Sequence, residues 1–171
     1  MANRAPELQR VELISLLLLD DVFNKPEYRN SFFHNTLFAS ASTRPRIADG
    51  SGTYIPTLFN DMPRLFDEQI LPIDVAFVHV SPPDRHGYCS MGNTVSLGPS
   101  ASRNSKKIFA QINRNMPRVH GNGFLHISQI DSFVEHDESL IELDYSQQIT
   151  DLERTIGKRV AELVDDGSTC N

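Results

Sequence analysis

Tryptophan is absent, and cysteine is nearly so, with only Cys89 and Cys170 in the chain. Two cysteines make no disulfide framework, which excludes the stapled secreted class and fits a reducing compartment. Positive charge is also scarce. Sixteen Lys+Arg against 22 Asp+Glu leave a formal net charge of -6. Such a chain lacks the broad basic face that a phosphate backbone requires, so a nucleic-acid module is excluded. Long apolar runs are missing too. The longest is Leu16–Leu19, extended by Leu13 and Ile14 and closed by Asp20 and Asp21. It falls far short of the roughly 20 residues of a membrane span. No basic stretch leads into an apolar core at the start, so no secretory signal is expected. Repeats and low-complexity tracts are absent. These absences together predict a cytoplasmic protein with no membrane or nucleic-acid partner.

What is present is ordinary globular material: 171 residues, 39% hydrophobic and 22% charged. A chain of that length buries about 70% of its unfolded surface. Short apolar runs alternate with amphipathic stretches. That pattern predicts an α/β fold, a mostly parallel sheet flanked by helices, with residues 1–171 as a single domain. Val11–Leu19 reads as a strand, although its leucines leave a helix open. Pro26–His34 reads as a short helix and Thr36–Ser40 as a strand. Asn60 is a candidate cap for a helix through Glu68, with Leu65 and Phe66 inward. Val75–Val80 is the clearest strand, β-branched and stopped by Ser81-Pro82-Pro83. Pro99–Lys107 suits a polar helix, while Ile108–Ile112 and Phe124–Ser128 suit strands. Thr150 and Glu153 have capping-box spacing. Ile149, Leu152, Ile156, Val160, Leu163 and Val164 then share one helical face, and Gly167 is placed to close the helix.

Two loops follow predicted strands, where parallel sheets bind their ligands. The first is Ser81–Gly92, with Asp84, His86, Tyr88 and Cys89 as polar groups and Gly87 and Gly92 as hinges. The second is Asn113–Gly123, in which Arg118 offers a planar fork for a carboxylate or phosphate. A structural turn is the competing reading of each loop. His86 and Cys89 have ligand-like spacing but no companion pair, so no metal is expected. Cys89 as a nucleophile served by His86 or His120 remains a rival that only spatial contact can decide. His79, alone on a strand, reads as a hydrogen-bonded core residue. Asp131, Glu135, Asp137 and Glu138 read as a solvated edge rather than an acid/base pair.

Taken together, Leu71–Ala76 running into Ser81-Pro82-Pro83-Asp84 and then Gly87-Tyr88-Cys89-Ser90 resemble the acetyl-CoA hydrolase/transferase family, which includes acetate and 4-hydroxybutyrate CoA-transferases. Phe33-His34-Asn35, Tyr54-Ile55-Pro56, Met62–Phe66, Asn115-Met116-Pro117-Arg118, His120-Gly121, Ile127–Asp131, Ile156-Gly157 and Asp166-Gly167 follow in the family's order. The resemblance covers nearly the whole chain and maps to the N-terminal domain.

The resemblance implies a mechanism. A glutamate attacks an acyl-CoA, giving an acyl-glutamyl anhydride and free CoA thiolate. The thiolate returns to form a glutamyl-CoA thioester, and a carboxylate or water then resolves it. The family's His-(Ser/Thr)-Glu-Met segment and its Gly-Ile-Gly loop have no counterpart here, so the catalytic glutamate is expected outside the chain. Both termini read as cuts through a larger α/β pattern. The chain alone is therefore expected to be inert, with a missing C-terminal domain or second chain as partner. Acyl-CoA and a carboxylate are the implied substrates, with no bound cofactor. Asp84, Gly87, Tyr88, Met116 and Arg118 are the expected cleft-lining residues. Exposed apolar surface, marginal stability and self-association into a homo-oligomer are expected consequences.

Overall fold

The computed structural model describes residues 2–19, 22–142 and 149–169. It divides into two compact units, Met1–Glu138 and Ser139–Asn171. The fold is the expected mixed α/β with parallel sheets and helices.

In the larger unit, β1 (Val11–Ser15), β2 (Phe32–Thr36) and β3 (Gly52–Tyr54) form one parallel sheet. Val11 aligns with Phe32, and His34 with Gly52. Helix α1 (Arg44–Ala48) connects β2 to β3. Its Arg46 is buried and donates to the carbonyls of Phe23, Phe32 and Ser51. A buried guanidinium is tolerated where it replaces lost water with hydrogen bonds. Helix α2 (Met62–Asp67) buries Met62 and Phe66 with Leu37.

A second parallel sheet carries the candidate site. Its strands are β4 (Ile73–Val80), β6 (Ser105–Ile112) and β8 (Ser132–Glu135), with β6 central. Helix α3 (Gly98–Asn104) lies between β4 and β6. β5 (Tyr88–Ser90) and β7 (Phe124–His126) form a separate antiparallel pair. The two-residue period of a strand sorts β4 and β6 into two faces. Ala76, Val80, Ile108, Ala110 and Ile112 are buried, and Val80, Ile108, Ala110 and Ile112 pack with Cys89, Met91 and Leu125. The opposite face shows Val75, Phe77 and Phe109, with the two rings 5.7 Å apart and Phe77 65% exposed. Parallel sheets are normally covered on both faces, so this exposed aromatic pair stands out.

In the smaller unit, α4 (Asp151–Ala161) begins at a capping box. Thr150 Oγ1 accepts from the Glu153 N–H, and the Glu153 carboxylate accepts from the Thr150 N–H. Leu152, Ile156 and Val160 are exposed.

Several expectations need correction. Residues 26–28 make only a 3-10 turn, and Phe32–His34 belong to β2. Pairing with β1 outweighs the helix signal of Pro26, and Thr36 ends β2 instead of opening a strand. β1 stops at Ser15. Asn60 does not cap α2; a 3-10 turn over Phe59–Asp61 precedes it. Ser105–Lys107 lie in β6, not in a helix. Gly167 has φ +82 but lies in a turn beyond α4, whose cap residue is Glu162.

Candidate functional site

Both predicted loops leave the carboxyl ends of the second sheet's strands. The first is built around Asp84. Its Oδ1 accepts from the backbone N–H groups of His86 and Tyr88, each at 2.9 Å. That is the local turn an aspartate supports best. The Asp84 N–H donates to the Tyr88 carbonyl at 3.0 Å. Gly87 has φ +85, and a Cβ there would lie 2.5 Å from His126 Nε2. Both constraints call for glycine. Tyr88 meets His126 edge-on at 5.0 Å between ring centres.

Arg118 arrives from the second loop and locks onto the first. Its Nη2 donates to Asp84 Oδ2 at 2.5 Å and its Nη1 to the Tyr88 carbonyl at 2.9 Å. The guanidinium also lies 4.9 Å from the centre of the Phe124 ring, a favourable cation–π distance. The Asp84 carboxyl is held below the usual carboxylate range, first by the Tyr88 N–H, then by the His86 N–H and by Arg118. Met116 is buried and packs against Gly92, which has φ +53 and where a Cβ would lie 2.8 Å from the Pro117 carbonyl oxygen. Of the five predicted residues, Asp84, Gly87, Tyr88 and Arg118 therefore meet in one clamp. Met116 supports the neighbouring turn.

A cavity of about 310 Å³ opens beside this clamp, lined by Pro82, Pro83, Ile112, Arg114, Glu135 and Asp137. These residues follow or end β4, β6 and β8, so the cavity sits where the sheet's three carboxyl ends converge. Asp137 Oδ1 accepts from the Arg114 N–H at 2.8 Å, and the two side chains approach to 3.7 Å.

A residue that ties the second loop to the segment after β8 was not singled out from the sequence. Asn113 is fully buried. Its N–H donates to the Val80 carbonyl and its Nδ2 to the Glu138 carbonyl, both at 2.9 Å. Its Oδ1 accepts from the N–H groups of Asn115 and Glu138. An asparagine directly after a strand, opening an Asn-Arg-Asn turn, was the available signal. Asp131 and Glu138, read from the sequence as solvated edge groups, have defined partners. Asp131 accepts from the Lys107 Nζ and the Ile108 N–H, and Glu138 accepts from Gln111.

His79 departs from its expected role. Its Nε2 is buried without a hydrogen-bond partner, and burial lowers the ring's pKa. Cys89 is fully buried in the core, and burial pushes its thiol up. A buried, protonated thiol is inert, which removes the support for a cysteine nucleophile. Cys170 lies outside the described residues. Among the described residues no group of three His, Cys, Asp or Glu is placed to hold a metal, and no helix is long and apolar enough to cross a membrane.

The model of the acetyl-CoA hydrolase/transferase N-terminal domain matches residues 3–143. The chain belongs to this family. A 4-hydroxybutyrate coenzyme A transferase of Clostridium kluyveri is 40% identical over 147 residues, covering 86% of this chain but 34% of that protein. A succinyl-CoA:cyclohexane-1-carboxylate CoA transferase of Geobacter metallireducens is 39% identical over 134 residues, covering 78% of this chain and 30% of that protein. Among solved structures, RipA from Yersinia pestis superimposes with a TM-score of 0.84 at 31% identity, over 97% of this chain and 41% of that one. The chain thus spans about a third of the length of the curated relatives it matches.

Proposed function

We propose that this chain supplies one wall of the site of an acyl-CoA:carboxylate CoA-transferase or acetyl-CoA hydrolase. The whole protein moves CoA between a short-chain acyl-CoA and acetate or a similar carboxylate. The reaction runs through a glutamyl-CoA thioester on a glutamate outside this chain. On this reading residues 1–171 are an incomplete N-terminal domain, inert alone and completed by a C-terminal domain. CoA thioesters are substrates, not resident cofactors.

The observation that carries the reading is the cavity at the shared carboxyl end of β4, β6 and β8, in a chain of this family. Small-molecule sites of this kind form where one domain's strand ends face another. Asp84, Gly87, Tyr88, Met116 and Arg118 would act as the rigid part of that wall. Arg118 is already engaged by Asp84 and the Tyr88 carbonyl, so it would position the loop more than grip the substrate.

The test is a CoA-exchange assay with acetyl-CoA and a short-chain carboxylate. The chain alone should give no turnover. The chain combined with the downstream two-thirds of a family member should give exchange, and this should vanish when that partner's glutamate is replaced. Turnover by the chain alone, sensitive to its own mutations, would overturn the reading.

A second reading is a non-catalytic subunit that completes its site with another chain. The exposed Phe77 and Phe109 pair favours it. It predicts stable capture of a partner chain with no exchange from any reconstituted pair.

A further inference from the structure

His79 is a buried ionisable group that neither the clamp nor the cavity uses. It lies one residue before the end of β4, and its Nε2 is buried without a protein partner. Whichever tautomer the ring adopts, an unpaired buried nitrogen is costly and calls for an explanation.

The explanation lies on the adjacent strand. Gln111 is aligned with His79 in the register of β4 and β6, so the two side chains share one face of the sheet. Gln111 Nε2 donates to Glu138 Oε1 at 2.6 Å and more weakly to the His136 carbonyl at 3.4 Å. Gln111 therefore holds the segment 136–138 that follows β8. That segment in turn holds the start of the second loop. The Glu138 N–H and carbonyl both meet the Asn113 side chain, and the same carbonyl accepts from Asn115 Nδ2. Asp137 Oδ1 accepts from the Arg114 N–H.

Few charges face the ring. On β6, Lys106 and Lys107 are paired with Asp74 and Asp131. On α3, Arg103 is engaged by Asp67 and Ser100. The turn Gly92–Thr94 presents Thr94, whose hydroxyl donates to the His79 carbonyl. Burial lowers the pKa of the ring, and the Glu138 carboxylate opposes that by favouring the protonated form. The ring is thus neutral at pH 7, with Glu138 as the anion that acts on it.

We infer that His79, Gln111 and Glu138 form a proton-driven latch on the second loop. At neutral pH Gln111 holds the Glu138 carboxylate. When the ring takes up a proton, both its nitrogens become donors, and the carboxylate turns from Gln111 to His79. Gln111 is released, residues 136–138 shift, and their hold on Asn113, Arg114 and Asn115 changes with them. The cavity wall formed by Arg114 and Asp137 is thereby tuned by pH. A histidine whose pKa is lowered on folding adds stability that is fully present above its unfolded value, about 6.5, and is lost as pH falls to the folded one. The latch therefore works on the acid side of neutrality. It belongs to the fold and does not rest on the transferase reading.

The test is an acid titration of the full chain from about pH 7.5 to about 4.5, across the ordinary histidine range. NMR follows the histidine rings, the Gln111 side-chain amide and the backbone amides. The His79 ring should titrate below about 6.5. The Gln111 side-chain amide and the N–H groups of Arg114 and Asn115 should shift with the same midpoint. Glu138→Gln should lower the His79 midpoint further, because the favourable anion is gone, and should abolish the linked shift of Gln111. His79→Leu should remove the shifts of Gln111, Arg114 and Asn115 at that midpoint. His136 is exposed on the same segment, and His136→Gln should keep every linked shift. Unchanged amides in β1 and β2 would show that the variants fold.

A Gln111 side chain that stays still while His79 titrates would overturn the inference. So would a His79 midpoint indifferent to Glu138→Gln, or loop shifts that survive His79→Leu or vanish with His136→Gln. A ring still neutral when acid unfolds the chain would overturn it as well, since the latch would never close in the folded protein.

Discussion

The clamp and the cavity lie side by side at the carboxyl end of the same sheet, built from the same two loops, yet they hold their charges differently. In the clamp every charge is consumed. Asp84 has two backbone N–H donors and Arg118, while Arg118 has Asp84, a carbonyl and an aromatic ring. In the cavity Arg114 has one long ion pair and Glu135 has no partner among the described residues. A satisfied network rigidifies a loop and has little left to offer a ligand. An unsatisfied one contributes little to folding and keeps its bonding capacity. The contrast assigns support to the first region and recognition to the second.

The start of the second loop, which carries both Arg114 and Arg118, is the place to disturb both at once. Asn113→Ala removes three side-chain hydrogen bonds from a fully buried position; the N–H groups of Asn115 and Glu138 lose their partner, while the Glu138 carbonyl keeps Asn115 Nδ2. A loss of about 2 kcal/mol is expected, since a fully buried amide and its three hydrogen bonds are lost. Urea denaturation would measure it, and ligand binding in the cavity should fall with it. Gly87→Ala strikes the clamp alone. It combines a left-handed backbone with a contact against His126 Nε2, so about 2 kcal/mol is expected. The double variant with His126→Ala should recover the steric part and not the backbone part. Full recovery would mean that φ at Gly87 matters little.

This division was only half legible in the sequence. Most of β4 could be read because Val75–Val80 is largely β-branched or aromatic and is followed by Ser81-Pro82-Pro83. β3, β5 and β8 have three or four residues each, too few alternations to register as a period. The clamp's members could be named singly. Their mutual neutralisation could not, because Asp84 and Arg118 are 34 positions apart and only the fold makes them a pair. Glu135 read as an edge carboxylate for a similar reason. Its place in the cavity depends on the register that sets it opposite Ile112, and a short strand's pattern does not specify register.

Acid should weaken the clamp as Asp84 takes up a proton. The folded Asp84 carboxyl titrates below its ordinary range, chiefly because of the Tyr88 N–H and then the His86 N–H and Arg118. A carboxylate depressed on folding adds stability that is fully present above its unfolded pKa, near 4, and is lost as pH falls through the lower folded value. The wild-type chain should therefore lose more stability than Asp84→Asn on going from pH 5 downward. Asp49 and Asp131 are also depressed, by their own hydrogen bonds, so both proteins keep a slope and the difference between them belongs to the clamp. Identical slopes would mean that Asp84 adds nothing to folding as an anion.

The smallest effect sharpens the comparison most, because it sets two arginines of one loop against each other. Arg118 donates twice within the clamp and covers Phe124. Its replacement by Ala should cost about 1–2 kcal/mol, since a carbonyl and a carboxylate both lose a charged donor. Arg114 is largely exposed and meets Asp137 only at 3.7 Å. Exposed pairs of that kind contribute little, so Arg114→Ala should change stability by about 0.5 kcal/mol or less. A titration with acetate should rank them in the opposite order, with Arg114→Ala weakening carboxylate binding more than Arg118→Ala does. If the two variants move stability and binding together, clamp and cavity are one unit, and the separation of support from recognition is wrong.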